Sequence, residues 1–147
     1  MNTLRTATAL WQGTGQDGTG RLNTPTQFFH DAPYSFKSRF TDAAGTPGTN
    51  PEELLAAAHA TCFSMALGFA LQQADFVAEE LRVEAAVALQ VGAEGAGITG
   101  VTLQLSGRVP GITETQFLDL AAGAKVTCPL SRALSAVPIH LDATLAA

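Results

Sequence analysis

Cys62 and Cys128 are the residues of this 147-residue chain best suited to covalent chemistry. They lie 66 positions apart. Two thiols are too few for a disulfide framework and too distant for a CxxC metal or redox motif. They suffice for a redox pair if the fold joins them. Cys62 lies in a charge-free stretch, Leu54 to Ala74. An inert core thiol is the plain reading there, because apolar burial raises a thiol's pKa. To attack a peroxide, Cys62 must be a thiolate. That requires a cation, itself held in place by a carboxylate. Arginine suits the task because it stays charged and forks across a carboxylate. Arg39 is the candidate cation, and Glu52 or Glu53 the candidate acid. Cys128 precedes Pro129 at an expected helix start, where backbone N–H groups and the helix dipole favour a thiolate. His59 lies one helical turn before Cys62. A Cys–His dyad and a hydrogen-bonded structural histidine both fit it.

Other chemistry is poorly served. Gly13-Thr-Gly15-Gln-Asp-Gly18 matches GxGxxG literally. A dinucleotide fingerprint needs a strand before it and a helix after it, and Thr19–Pro25 has no helical pattern. A hairpin turn is expected instead. His30, His59 and His140 show neither HxxxH nor HxxE spacing, so no zinc pattern arises. No GxSxG hydrolase motif is present. The net charge is −5, with two lysines, Lys37 and Lys125, and no basic cluster. That disfavours nucleic-acid binding by phosphate neutralisation. Met1–Leu10 lacks the apolar core of a signal peptide. Leu54–Ala74 is long enough to span a bilayer. However, it carries His59, Thr61, Ser64, Gln72 and Gln73, and its flanks are Glu52, Glu53 and Asp75, with no positive anchor. A helix buried in protein is expected, with no membrane partner and a cytoplasmic location, where free thiols persist.

The elements that must position these residues are those of one domain, residues 1–147. Residues 3–12 alternate as a strand, Gly13–Gly20 turn, and Arg21–Phe29 return as a second strand. Tyr34–Phe40 alternates in period two, which predicts a third. Asp42–Thr49 is a loop. Asn50 is an N-cap type, Pro51 suits the first helical position, and Glu52 and Glu53 complement the helix dipole. That helix should run to about Gln73, with Ala58, Cys62, Met65 and Phe69 on one face. Leu81–Gln90 and Thr99–Arg108 predict strands joined by Val91–Gly97. Thr113–Lys125 has helical periodicity, with Thr113 and Gln116 as a capping box. A short helix from Pro129 to about Ala136 and a strand over Pro138–Leu145 close the chain. The fold class is α+β with an antiparallel sheet. Hydrophobic residues make up 46% and charged residues only 14%. That surface is lean for a small monomer, and a dimer interface would account for it.

Three segments in order closely resemble the OsmC branch of the OsmC/Ohr family of organic hydroperoxide reductases. They are Tyr34–Phe40 (YSFKSRF), Thr49–Leu67 (TNPEELLAAAHATCFSMAL) and Thr127–Leu134 (TCPLSRAL). The resemblance extends from ALWQG at residue 9 to the final strand. It implies a thiol peroxidase with no metal or organic cofactor, acting in oxidative or osmotic stress defence. It also implies an OsmC-like intertwined homodimer, its antiparallel sheets wrapped around two long central helices, with active sites at the interface. By position, Cys62 resembles the peroxide-attacking cysteine and Cys128 the resolving one. Glu52, the first glutamate after Asn50-Pro51, matches the family's functional acid. Arg39 matches the OsmC-branch arginine. Ohr proper places its arginine in the N-terminal glycine-rich loop, so Arg21, just past that loop, is a backup. Arg132, one turn beyond Cys128, is either an influence on it or a solvated surface arginine.

The implied reaction reduces an organic hydroperoxide to its alcohol through a Cys62 sulfenic acid and a Cys62–Cys128 disulfide. An external dithiol, for which the family suggests a dihydrolipoyl system, then reduces the disulfide. Phe28, Phe29, Phe63 and Met65 are candidates for favouring an organic substituent, although each also suits a core. Glu52 and Cys62 stand ten residues apart on one expected helix, about 15 Å of rise. A compact Cys–Arg–Glu cluster within one chain is therefore awkward, and the expectation is that Glu52 and Arg39 serve the Cys62 of a second copy. The competing class is a non-catalytic stress or ligand-binding dimer with structural cysteines.

Overall fold

The computed structural model describes residues 1–41 and 47–146, so much of the expected Asp42–Thr49 loop lies outside the described residues. The chain forms two compact units, Met1–Leu54 and Leu55–Ala147.

In the first unit, β1 (Thr8–Gln12), β2 (Thr19–Asn23) and β3 (Ala32–Ser35) form an antiparallel sheet in that order. The GxGxxG segment is the β1–β2 turn, closed by Gly18 N–H donating to the Thr14 carbonyl at 2.9 Å. A Cβ on Gly18 would meet Trp11, so the glycine serves close packing. Strand β2 stops at Asn23, short of the expected Phe29. Asn23 and Asp31 close the intervening loop: the Asp31 N–H donates to Asn23 Oδ1 at 2.8 Å, and Asn23 Nδ2 donates to Asp31 Oδ1 at 3.2 Å.

The expected third strand, Tyr34–Phe40, is corrected. The strand ends at Ser35, and Phe36–Phe40 is a short helix, α1. Ser35 is its N-cap: its side chain accepts from the Ser38 N–H at 3.1 Å, while the Ser38 side chain accepts from the Ser35 N–H at 2.9 Å. The aromatic alternation fits both periods, because Phe36 and Phe40 also pack at i, i+4 with ring centroids 4.8 Å apart. Arg39 therefore stands on a helix rather than at a strand end.

Helix α2 (Pro51–Gln73) begins as expected, with Asn50 Oδ1 accepting from the Glu53 N–H at 2.9 Å. In the second unit its buried stripe is His59, Phe63, Leu67 and Leu71. The expected face is thereby corrected. Met65 and Phe69 are 63% and 62% exposed, and Cys62 is only half-buried against the core. The helix is apolar on several faces, so periodicity could not choose among them.

Strands β4 (Glu80–Gly92) and β5 (Gly95–Arg108) make a long hairpin, and the expected loop shrinks to Ala93 and Glu94. Buried Val101, Leu103 and Leu105 alternate with exposed Gln104 and Ser106. Helix α3 (Glu114–Thr127) carries the Thr113–Gln116 capping box. Helix α4 (Pro129–Ala133) follows, then β6 (Ile139–Leu145). The sheet order is β4-β5-β6, but β6 pairs parallel to β5. The expectation of a wholly antiparallel sheet is thus corrected to a mixed one. The helical crossover between the two strands makes a parallel return possible, and alternation along a strand reveals its buried face but not its direction. One cluster unites Phe63, Leu67 and Leu71 of α2, the β5 residues, and Phe117, Ala121 and Ala124 of α3 with Cys128.

Phe117 is fully buried beside Gly107, where a Cβ would strike its ring. Phe117→Ala is expected to lower unfolding stability by about 3–5 kcal/mol, read as a lower denaturant midpoint with an unchanged slope.

Candidate active site

The candidate residues fall into two clusters, one in each unit. In the first unit, Arg39 grips Glu52 with both prongs: Nη2 donates to Oε1 at 2.8 Å and Nε to Oε2 at 3.2 Å. The two elements that bring them together are tied by polar bonds. Ser38 Oγ donates to the Thr49 carbonyl at 3.0 Å, and Asn50 Nδ2 donates to the Ser38 carbonyl at 3.2 Å. Thr49 also bridges to Tyr34 beside Gly48, whose φ is +124°. A Cβ there would lie 2.5 Å from the Pro33 carbonyl oxygen, so glycine lets the two segments touch. Glu53 is occupied differently, accepting from Thr49 Oγ1 at 2.6 Å. A cleft lined by Trp11, Tyr34, Phe36 and Phe40 opens at Arg39. The guanidinium lies over the Phe40 ring, 4.9 Å from its centroid. This arrangement presents an oriented cation on an aromatic surface. Arg21 is exposed on β2 and makes no ion pair among the described residues.

In the second unit the two cysteines meet. Cys62 Sγ and Cys128 Sγ are 3.4 Å apart and hydrogen-bonded. With both protonated, Cys128 donates. Once Cys128 ionises, the Cys62 thiol becomes the donor. Burial is the largest influence on Cys62 and pushes its pKa up. The Leu130 N–H opposes this, and the neighbouring Cys128 adds to it. Burial also acts to raise Cys128, which has no exposed surface, but the hydrogen bonds around it prevail and its pKa is lowered. These come from the Ser131 N–H and hydroxyl, from Cys62, and from the Leu130 N–H. The sulfur does not close a formal side-chain cap of α4, yet the first-turn donors favour its anion. Within one chain, Cys128 is thus the more acidic thiol.

His59 is fully buried, with Nε2 2.8 Å from Ser131 Oγ. Its Nδ1 is buried with no partner among the described residues, and burial lowers its pKa. Ser131 escaped the sequence reading. The available signal was its position three residues after Cys128, where a first-turn donor faces an N-cap side chain. Arg132 is exposed on α4. Phe63 belongs to the core, whereas Phe28 and Met65 are exposed and Phe29 is half-buried.

Residues 43–142 match the family model described as OsmC-like protein. The chain belongs to the OsmC family. This OsmC-family chain is 40% identical over 134 residues to peroxiredoxin OsmC of Escherichia coli (strain K12), covering 91% of each. It is 37% identical over 98 residues to organic hydroperoxide resistance protein OhrA of Bacillus subtilis (strain 168), covering 66% of this chain and 65% of that protein. Its fold matches the crystal structure of the organic hydroperoxide resistance protein OhrB of Bacillus subtilis. The TM-score is 0.74 at 27% identity, over 95% of this chain and 98% of that one.

A disulfide has S–S of about 2.05 Å, so a small side-chain movement joins thiols 3.4 Å apart. Mild oxidation is expected to form an intramolecular Cys62–Cys128 bridge. Peptide mass spectrometry without reductant should find the linked peptides and the loss of two hydrogens, and Cys128→Ser should abolish both.

Proposed function

We propose that this chain is a cysteine-based peroxidase that reduces organic hydroperoxides to alcohols in oxidative or osmotic stress defence. The observation that carries the reading is the thiol pair: two cysteines 66 positions apart in sequence with sulfurs 3.4 Å apart. The names of the relatives, a peroxiredoxin and organic hydroperoxide resistance proteins, support the same class.

In this reading the Cys62 thiolate attacks the distal peroxide oxygen. The S–O bond forms as the O–O bond breaks, and the alkoxide takes a proton and leaves as the alcohol. Cys62 is then a sulfenic acid. Cys128 attacks its sulfur, the S–S bond forms, the S–O bond breaks, and water departs. An external dithiol, for which a dihydrolipoyl protein is one candidate, exchanges with the disulfide and restores both thiols. The site residues are Cys62, Cys128, Arg39 and Glu52, with no cofactor required. Burial holds the Cys62 thiol up, so its thiolate needs a cation. Arg39, oriented by Glu52, supplies it and stabilises the charge that develops as the O–O bond breaks.

The assembly in this reading is a homodimer whose sites lie at the interface, Arg39 and Glu52 of one copy serving the Cys62 of the other. The exposed Met65 and Phe69 on α2 supply apolar surface for it. The reading also places the chain in the cytoplasm, where thiols stay reduced between turnovers.

Stopped-flow mixing with cumene hydroperoxide tests the chemistry. Cys62→Ser should abolish consumption, and Cys128→Ser should stop after one equivalent. Arg39→Ala should slow the first step about 100-fold or more. Failure of the unmutated protein to consume hydroperoxide would overturn the reading. Mixing Glu52→Ala with Cys62→Ser chains tests the shared site. Random dimerisation should recover about a quarter of wild-type activity, from one intact site in half the dimers. Absence of recovery would return the ion pair to its own chain's thiols.

A further inference from the structure

We propose that His59 and Ser131 are positioning residues for disulfide formation, their hydrogen bond holding Cys128 within reach of Cys62. The proposal rests on the peroxidase reading and concerns its second step.

Among the described residues, two side-chain hydrogen bonds cross between α2 and the segment Cys128–Ala133, and they form a ladder. His59 Nε2 lies 2.8 Å from Ser131 Oγ, and Cys62 Sγ lies 3.4 Å from Cys128 Sγ. His59 precedes Cys62 by three residues on α2, and Ser131 follows Cys128 by three at the start of α4. Residues 59 and 62 thus meet residues 131 and 128, so the two segments run antiparallel with about one helical turn between the rungs. One rung is made of the thiols that react. The other is made of groups that do not. His59, Cys128 and Ser131 are all buried, so water does not compete for the second rung.

Helix α4 needs such support. At five residues it is too short to be stable alone. The extended backbone of Cys128 separates it from α3, so it does not inherit the rigidity of that helix. Its backbone bonds stay local: the Arg132 N–H donates to the Cys128 carbonyl at 3.0 Å, and the Leu134 N–H to the Leu130 carbonyl at 2.9 Å. Leu130 and Leu134 pack against the core. Apolar contact is non-directional, however, and lets a short helix turn or slide. A hydrogen bond prescribes both distance and angle. The His59–Ser131 bond is therefore a directional tether to α2 that the reaction does not consume.

The identity of residue 59 fits this role. The buried stripe of α2 is His59, Phe63, Leu67 and Leu71. His59 Nδ1 is buried with no partner among the described residues, and such an atom lowers stability. A leucine there would complete the stripe without that loss. What the histidine adds is the one bond it makes. Burial lowers the pKa of the ring and so favours its neutral form. Either neutral tautomer serves: Nε2–H donates to Ser131 Oγ, or Nε2 accepts from the Ser131 hydroxyl.

Spacing governs the step that follows sulfenic acid formation. Cys62–SOH and Cys128–SH become the disulfide and water. The Cys128 sulfur supplies the electron pair of the S–S bond, the S–O pair leaves with oxygen, and the Cys128 proton is the one that completes the water. An intramolecular attack of this kind gains its rate from fixed geometry, and a misplacement of about 1 Å can cost about 100-fold. A sulfenic acid that waits meets a second hydroperoxide, which gives it an oxygen and leaves as the alcohol, so that Cys62 becomes a sulfinic acid. The tether thus also protects Cys62 from over-oxidation.

The effective concentration of the two thiols tests the proposal, read from the disulfide equilibrium against reduced and oxidised glutathione. His59→Leu removes the bond and leaves in place every group that acts on the Cys128 pKa. It should lower the effective concentration about 10-fold, the worth of one buried hydrogen bond. His59→Gln keeps a group able to bond Ser131 and should restore most of it. Adding Ser131→Ala to His59→Leu should change little more, because the two act as one pair. In single turnover with cumene hydroperoxide, His59→Leu should slow disulfide formation relative to sulfenic acid formation by about the same factor, and sulfinic acid should accumulate when hydroperoxide is in excess. A pair that only stabilises the fold would lower the urea midpoint of the reduced protein and leave the effective concentration unmoved, and that result overturns the proposal. So does a His59→Gln variant as low as His59→Leu. If His59→Leu does not fold, the unmutated protein decides. A bond that favours the disulfide must in turn be favoured by it. The proton shared by His59 and Ser131 should therefore exchange with water more slowly in the oxidised protein than in the reduced one, and equal rates overturn the proposal. The glutathione equilibrium needs no peroxide. A wild type that shows the expected equilibria but consumes no hydroperoxide refutes the peroxidase reading and leaves the positioning role standing. A wild type that consumes hydroperoxide while its His59 variants match it refutes the positioning role alone.

Discussion

Helix α3 ends at Thr127, and Pro129 restarts the chain as α4, leaving Cys128 between them with φ −57° and ψ 122°. A residue before proline is pushed out of the helical region by the pyrrolidine ring, and proline itself has no N–H to extend the earlier helix. The resulting corner has two consequences. It places the Cys128 sulfur at the first turn of α4, whose donors lower its pKa, and it sets that sulfur in the core. Without the corner, a cysteine at the end of α3 would face unpaired carbonyls, which disfavour an anion. The lowered pKa of Cys128 and its distance to Cys62 thus share one cause.

The two thiols differ in environment. Cys62 lies mid-helix, where backbone N–H groups are already committed to the ladder, and burial makes its thiolate costly. Cys128 has donors to spare. In the proposed reading, a catalyst built on the first thiol brings charge from elsewhere, and the Arg39–Glu52 pair is the proposed source. Its carboxylate fixes the guanidinium, its aromatic neighbours shape the cleft, and the Ser35, Ser38 and Asn50 caps fix the two helices that carry it. Arg39 keeps about a third of its side chain exposed although its partner carboxylate is mostly covered. An arginine engaged only in holding α1 to α2 could be covered as fully as Glu52.

Legibility in the sequence followed locality. Asn50-Pro51-Glu52 and the Thr113–Gln116 box announce their helices because capping is settled within four residues. The Ser35–Ser38 box obeys the same rule, yet the alternating aromatics around it masked the signal, and α1 was read as strand. The direction of β6 was not legible, since alternating Ile139, Leu141 and Ala143 look alike in either sense. The proximity of Cys62 to Cys128 was not legible from spacing at all. It depends on α2 and α4 meeting through the core, and the three ordered segments suggested it only through a family likeness. Ser131 was missed for the same reason: its relation to Cys128 is local, but its relation to His59, 72 positions away, is tertiary.

Helix α2 shows how one sequence feature can serve a distant requirement. Over 23 residues it is long and apolar enough to cross a membrane, yet only a single stripe of it is buried within the chain. Glu52 and Glu53 begin it, Gln72 and Gln73 end it, and His59 and Ser64 interrupt it. In lipid, His59 would lose its Ser131 partner and the helix would lack cationic anchors at either end. A second protein surface accommodates the same helix without those losses, because Thr61 and Ser64 already satisfy themselves on backbone carbonyls. In the proposed reading, the apolar surplus of α2 and the external cation for Cys62 then have one solution. The copy that covers Met65 and Phe69 is the one proposed to bring Arg39.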